Sequence, residues 1–180
     1  FVDEWAAGRL DPVALSHSVE RCRELFAGLA GVESGRVAVG SQVSQLVSIV
    51  ASSLPDGAEV LCPEGDFASL AHPFAQLSDR GIRLRFAPLG ELAAAVTPET
   101  SLVAFSLVQS ASGEIADHIA IRSAAAAAGA RTLADLTQSL GWLPVSAGGF
   151  DFTVCHAYKW LCAPRGTAFL RCDSRFSGSL

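Results

Sequence analysis

The chain carries twelve arginines and a single lysine, Lys159, in the run Cys155-His156-Ala157-Tyr158-Lys159-Trp160-Leu161. Arginine keeps its proton in proteins, whereas a lysine amine can lose it and attack a carbonyl carbon. A sole lysine in an arginine-using chain therefore points to Schiff-base chemistry, although arginine-rich composition by itself also leaves few lysines. Twenty-four residues earlier Asp135 ends a predicted strand, and Gln138 follows one helical turn later. A carboxylate there either caps the next helix or, once buried, keeps a proton on a ring nitrogen such as that of a pyridine electron sink. The amide at 138 suits either a surface position or a hydrogen bond to a phenolic oxygen on such a ring.

The elements that must carry these groups alternate between helix and strand along the chain. Asp11-Pro12 predicts a helix start, with Leu15, Val19, Cys22, Phe26 and Leu29 at helical spacing and Gly31 as its close. Strands are predicted over 36–39, 59–62, 82–86, 101–107, 131–134, 152–155 and 167–171. Further helices are predicted from Gly40-Ser41 to Leu54, over 68–80, over 89–96, and from Asp117 to 128–129. Strands separated by helix-length segments imply βαβ units, hence an α/β fold with a mostly parallel central sheet and helices on both faces. Ligands in such sheets bind beyond the carboxyl ends of the strands. Ser41, Gln42, Phe67, Gln109, Asp135, Gln138 and Lys159 fall at such ends, and their convergence on one rim is the expectation. Val39-Gly40-Ser41-Gln42-Val43 lacks the G-x-G-x-x-G turn of a nicotinamide-binding domain.

A chain of 180 residues, half of them hydrophobic, can build one domain with a sizeable core. A net charge of −5 argues against a nucleic-acid-binding surface. The alanine run over 123–130 is too short to span a bilayer, and no signal peptide is recognisable, so neither membrane nor secretion is expected. The five cysteines (Cys22, Cys62, Cys155, Cys162 and Cys172) form no C-x-x-C and fit no closed disulfide set. Buried thiols in a reducing cytoplasm are expected instead. No second Cys/His pair joins Cys155-His156, so no metal site is expected. The start at Phe1 and the lack of methionine lead us to expect that the ends are not native termini.

Asp135-x-x-Gln138-Ser139-x-Gly141-Trp142, Asp151, Tyr158-Lys159-Trp160-Leu161 and Pro164-Arg165-Gly166 together resemble the class V aminotransferase group of fold-type I pyridoxal-phosphate enzymes. The resemblance extends to Glu64-Gly65-Asp66-Phe67-Ala68-Ser69 and to Val108-Gln109-Ser110-Ala111-Ser112-Gly113-Glu114. The group includes cysteine desulfurases, kynureninases and isopenicillin-N-epimerase-like proteins. It implies that pyridoxal 5′-phosphate is the cofactor and that Lys159 holds it as a Schiff base, then carries protons. It implies that Asp135 pairs with the ring nitrogen, that Gln138 faces the phenolic oxygen, and that Phe67 stacks on the ring; a core phenylalanine is the alternative at 67. Gln109 matches a position near the phenolic side.

For the phosphate, free N–H groups at a helix start over Ser41, Gln42 and Val43 are suited to a dianion. Relatives often place a threonine where this chain has Val43, so one hydroxyl is lost. Tyr158 matches a kynureninase-like phosphate contact, and His156 serves either there or structurally. The resemblance implies an amino-acid substrate, a homodimer and a cytoplasmic enzyme. Aminotransferase is the leading activity, a C–S lyase or desulfurase the main alternative, and kynureninase-like cleavage a third; an inactive domain of the same fold is the alternative of another class. The whole chain, 1–180, matches the cofactor-binding large domain, so the C-terminal small domain and the substrate-clamping arginine are expected outside it.

Overall fold

The computed structural model describes residues 2–174. Among them are the strands β1 (Val37–Gly40), β2 (Glu59–Pro63), β3 (Arg83–Ala87), β4 (Thr100–Ser106), β5 (Arg131–Asp135), β6 (Phe152–His156) and β7 (Ala168–Cys172). They form one seven-stranded sheet in the order β1-β7-β6-β5-β4-β2-β3. β2 to β6 pair in parallel, while β7 runs antiparallel to both β6 and β1. The helices are α1 (Val2–Ala6), α2 (Pro12–Ala30), α3 (Val43–Ser52), α4 (Ala68–Ala75) and α5 (His118–Ala128). The mostly parallel α/β architecture expected from the alternation is thus observed, with β7 as the reversed strand.

Side chains alternate across a strand, so a sheet covered on both faces needs apolar residues at odd and even positions alike. β4 meets that demand. Leu102 and Ala104 pack with Val47 and Val50 of α3 and with Leu70 and Phe74 of α4. Val103 and Phe105 point the other way, into a second core with Phe26 of α2 and Ile121 of α5.

Local signals set the helix ends, with some departures from the sequence expectation. Asp11 caps α2 by accepting from the Val13 amide at 2.9 Å, and Gly31 closes it in the left-handed region at φ 67°. Of the predicted apolar stripe on α2, however, only Phe26 is buried, with its ring stacked on Phe169 at 4.1 Å. α3 begins at Val43 rather than at Gly40-Ser41, because Gly40 still belongs to β1. There a Cβ would stand 2.8 Å from the Leu46 side chain, so α3 lies against β1 at glycine distance. The helix predicted over 68–80 stops at Ala75, and a separate 3-10 turn at Ser78–Arg80 follows it, closed by Gly81 in the left-handed region. The one predicted over 89–96 contracts to a 3-10 turn at Leu89–Glu91; two uncapped turns are too short to persist.

Cys62 and Cys155 are buried as expected, but Cys22 and Cys162 are exposed. The correction follows from the packing: α2 is buried only towards its C-terminal end, and Cys162 lies in a loop. No described helix is long and apolar enough to cross a membrane.

The reversal at β7 decides where the chemistry can assemble. The carboxyl ends of β2, β4, β5 and β6 share one rim of the sheet, and β7 begins there. The segment joining β6 to β7 therefore leaves and returns at the same rim. It is tied by the Ala157 amide donating to the Thr167 carbonyl and the Ala163 amide to the Ala157 carbonyl, both at 3.0 Å. A parallel β7 would have required a crossover to the opposite rim.

Candidate active site

A cavity of about 250 Å³ opens on that rim. Gln42 and Val43 reach it from the start of α3, Phe67 from the start of α4, Asp135 from the end of β5 and Gln138 from just beyond it, His156 from the end of β6, and Tyr158 and Lys159 from just beyond β6. Residues scattered over more than a hundred positions thus line one space. Ser41 and Gln109 do not line it. The Ser41 hydroxyl donates to the Gln45 side chain at 3.1 Å, and the Gln109 amide turns towards Asp66 at 3.3 Å.

Asp135 is the best-fixed group. Its backbone is held in the ladder opposite Ser106 and Val154, and its carbonyl accepts from Leu107 at 3.0 Å. One carboxylate oxygen accepts from the Thr137 amide at 2.8 Å. Burial pushes its carboxyl up to about 6; bonds from Thr137 oppose that rise, and the charge of Asp66 adds to it. The pocket therefore holds a carboxylate that gains strongly from a cationic partner, such as a protonated ring nitrogen.

Asp66 was absent from the sequence candidates, though it sits at a strand end just before Phe67, as Asp135 does at its own strand end. Its carboxylate accepts from the Phe67 amide at 2.6 Å, the Ser106 amide at 2.7 Å, the Ser106 hydroxyl and the Gln109 amide. These bonds fasten the loop after β2 to the end of β4 and fix the backbone from which the half-exposed Phe67 ring projects. Thr137 is a second clasp: its hydroxyl accepts the His156 amide at 2.9 Å, joining the ends of β5 and β6. Gln138 donates to the Ser110 hydroxyl at 3.0 Å, and its carbonyl accepts from the Trp142 indole at 2.7 Å.

The opposite end of the cavity is made from loops and a helix start. Gln42 is the N-cap of α3, yet its side chain caps no amide. It faces Nε2 of His156 at 3.3 Å instead, while Nδ1 of His156 meets the Thr167 carbonyl at 3.2 Å. A carbonyl only accepts, so Nδ1 carries the hydrogen. Burial lowers the proton affinity of the ring, as does the charge of Arg165, while the Thr167 bond opposes them; the Gln42 atom that faces Nε2 is its side-chain oxygen. The Tyr158 ring lies edge-on to His156, with centroids 4.6 Å apart. The Lys159 amine lies 5.4 Å and the Arg165 guanidinium carbon 4.4 Å from the centre of that ring. Arg165, another residue without a role in the sequence reading, lines the cavity too, as do Ser69, Ser106, Val108 and Ser110. Among the described residues, no cluster of three or more His, Cys, Asp or Glu suits a metal ion.

The profile of the family described as aminotransferase class-V matches residues 13–180. A protein of Methanothermobacter thermautotrophicus described as a probable cysteine desulfurase is 29% identical over 177 residues, covering 92% of this chain and 44% of that protein. Isopenicillin N epimerase of Amycolatopsis lactamdurans is 30% identical over 186 residues, covering 92% and 47%. The chain thus spans somewhat under half the length of the curated relatives it matches. Among solved structures, the cystine C–S lyase C-DES in complex with cysteine persulfide superposes with a TM-score of 0.85 at 22% identity, covering 96% of this chain and 51% of that one. A cysteine desulfurase of Thermococcus onnurineus superposes with a TM-score of 0.81 at 21% identity, covering 91% and 44%. At these identities the structural likeness establishes the fold.

Proposed function

We infer the activity from one premise: this chain belongs to the aminotransferase class-V family, whose members are pyridoxal-phosphate enzymes. We propose that it forms the cofactor site of an enzyme acting on an amino acid, with aminotransferase as the leading reaction. The observation that carries the reading is that Asp135 and Lys159, from different elements, line one cavity with the half-exposed Phe67. The donor set fits the group. A buried carboxylate suits the ring nitrogen, an aromatic side chain suits the ring face, and an uncapped start of α3 suits the phosphate.

When bound, pyridoxal phosphate drains electron density from the α-carbon of an amino acid and so loosens its bonds. The protein's part is to hold and aim it. Lys159 would bind the aldehyde carbon and then, once freed by substrate, carry a proton from its Nζ. Asp135 would keep the ring nitrogen protonated from its fixed place in β5. Gln138, held by Ser110, would face the phenolic oxygen; Gln42, Val43, Tyr158 and His156 would surround the phosphate, with Ser41 turned aside to Gln45. Gln109 would act on the same region only through Asp66.

A C–S lyase or desulfurase reaction is the second reading, supported by relatives whose descriptions name cysteine desulfurase and C–S lyase. We further propose a homodimer in the cytoplasm. Val13, Val19, Leu25 and Leu29 stand exposed along α2, and their apolar surface supports a second copy as partner.

The sole lysine makes the test clean. Protein produced with vitamin B6 should show a visible absorption band that borohydride abolishes, leaving a reduced adduct on Lys159. Colourless protein with no adduct would overturn the reading. Screening amino acids for release of keto acid, sulfide or alanine then separates transamination, C–S cleavage and kynureninase-like cleavage.

A further inference from the structure

We propose that Arg165 supplies the formal positive charge for the cofactor's phosphate, in place of the hydroxyl that Val43 lacks; the proposal rests on the pyridoxal-phosphate reading above. The two ends of the cavity differ in sign. Asp135, with Asp66 behind it, makes one end anionic and excludes a dianion from it. The other end gathers the start of the ten-residue helix α3, His156, Tyr158 and Arg165.

Each other donor at that end falls short of a full charge. The free amides of α3 contribute roughly half an elementary charge between them. Val43 has no polar side chain. His156 spends its Nδ1 hydrogen on the Thr167 carbonyl, and burial lowers the ring's affinity for a second proton. Lys159 is committed to the aldehyde carbon. Arg165 remains, with its guanidinium carbon 4.4 Å from the Tyr158 ring centre and its charge felt by His156. Other arginines are given to carboxylates: Arg80 to Asp56, Arg85 to Glu59 and Arg171 to Asp173. Arg165 forms no ion pair among the described residues, so its fork of donors is open to an anion at the cavity. The Tyr158 ring gives the guanidinium plane a surface to rest on, which orients the fork at little entropic cost.

The experiment separates the phosphate from the rest of the cofactor. Dissociation constants of pyridoxal phosphate and of unphosphorylated pyridoxal are measured by tryptophan quenching on the full-length protein, in wild type, Arg165→Gln and Arg165→Lys. A charge-assisted contact predicts that Arg165→Gln weakens pyridoxal phosphate about tenfold to hundredfold. Pyridoxal affinity should change by less than about twofold, and Arg165→Lys should recover part of the loss as a point charge. Equal loss for both ligands, or no loss for either, overturns the proposal. So does unchanged cofactor affinity with weakened amino-acid binding, which would make Arg165 a substrate-carboxylate group. If the wild type binds neither ligand, the cofactor reading itself falls, and this proposal with it.

Discussion

The two ends of the cavity are built on different principles. Asp135 lies within a strand, buried, and held by ladder bonds on both sides. Lys159 and Arg165 lie exposed in the segment between β6 and β7, held by backbone bonds at its base and by one aromatic ring. A group that must hold one proton in place benefits from a rigid, dry setting. A group that must form and break a bond with an incoming amine needs reach. The fold gives the acid to the sheet and the amine to a loop.

The sharpest test of this division is Lys159→Ala. It should abolish covalent capture altogether, leaving cofactor that dialyses away, as read by the visible band. Next, Asp135→Asn should lower turnover by about 10²–10³-fold, in keeping with the loss of a preorganised charged partner. The same change should raise the stability of the cofactor-free protein at pH 7. The carboxyl rises from 3.8 to about 6 on folding, so the folded state binds the proton more tightly and stability falls as pH rises from about 4 to about 6. At pH 7 that loss is full, about 2–3 kcal/mol, and Asn removes it. Urea unfolding at pH 3.5 and pH 7 checks both sign and window. An Asp135→Asn protein no more stable at pH 7 would mean that the acid is not dry.

Asp66→Asn should have a smaller effect. It keeps an acceptor for the Phe67 amide but loses charge-assisted bonds to Ser106, so cofactor affinity should fall about tenfold, with a changed circular-dichroism band as Phe67 loses its fixed placement. Ser41→Ala should do least. Among the described residues its hydroxyl hydrogen-bonds the Gln45 side chain, on the exposed side of the helix start, so stability should move by less than about 0.5 kcal/mol and cofactor affinity by less than about threefold. A large loss there would return Ser41 to the phosphate and redraw that end of the cavity.

The contrast also explains what the sequence disclosed. Strand positions were legible because burial on both faces forces unbroken apolar runs, and Asp135 stood out as a charge ending one of them. Lys159 was legible through its rarity. The clasps Asp66 and Thr137 were not, since short polar residues after strands are common and only the register of β4, β5 and β6 brings them together. Arg165 was hidden by its number in the chain: six residues beyond Lys159, it reaches the same space only because β7 is reversed. The outward face of α2 was misjudged because helical spacing reports an apolar face without saying what covers it.

That reversal carries a longer consequence. Because β7 doubles back beside β6, residues could be inserted or deleted between them without displacing any strand, and closing a longer loop costs little more than closing a shorter one. The acid has no such freedom, for a one-residue slip in β5 would turn it to the opposite face of the pleat. Changes of length are thereby tolerated in that hairpin beyond Lys159, while Asp135 stays locked in register.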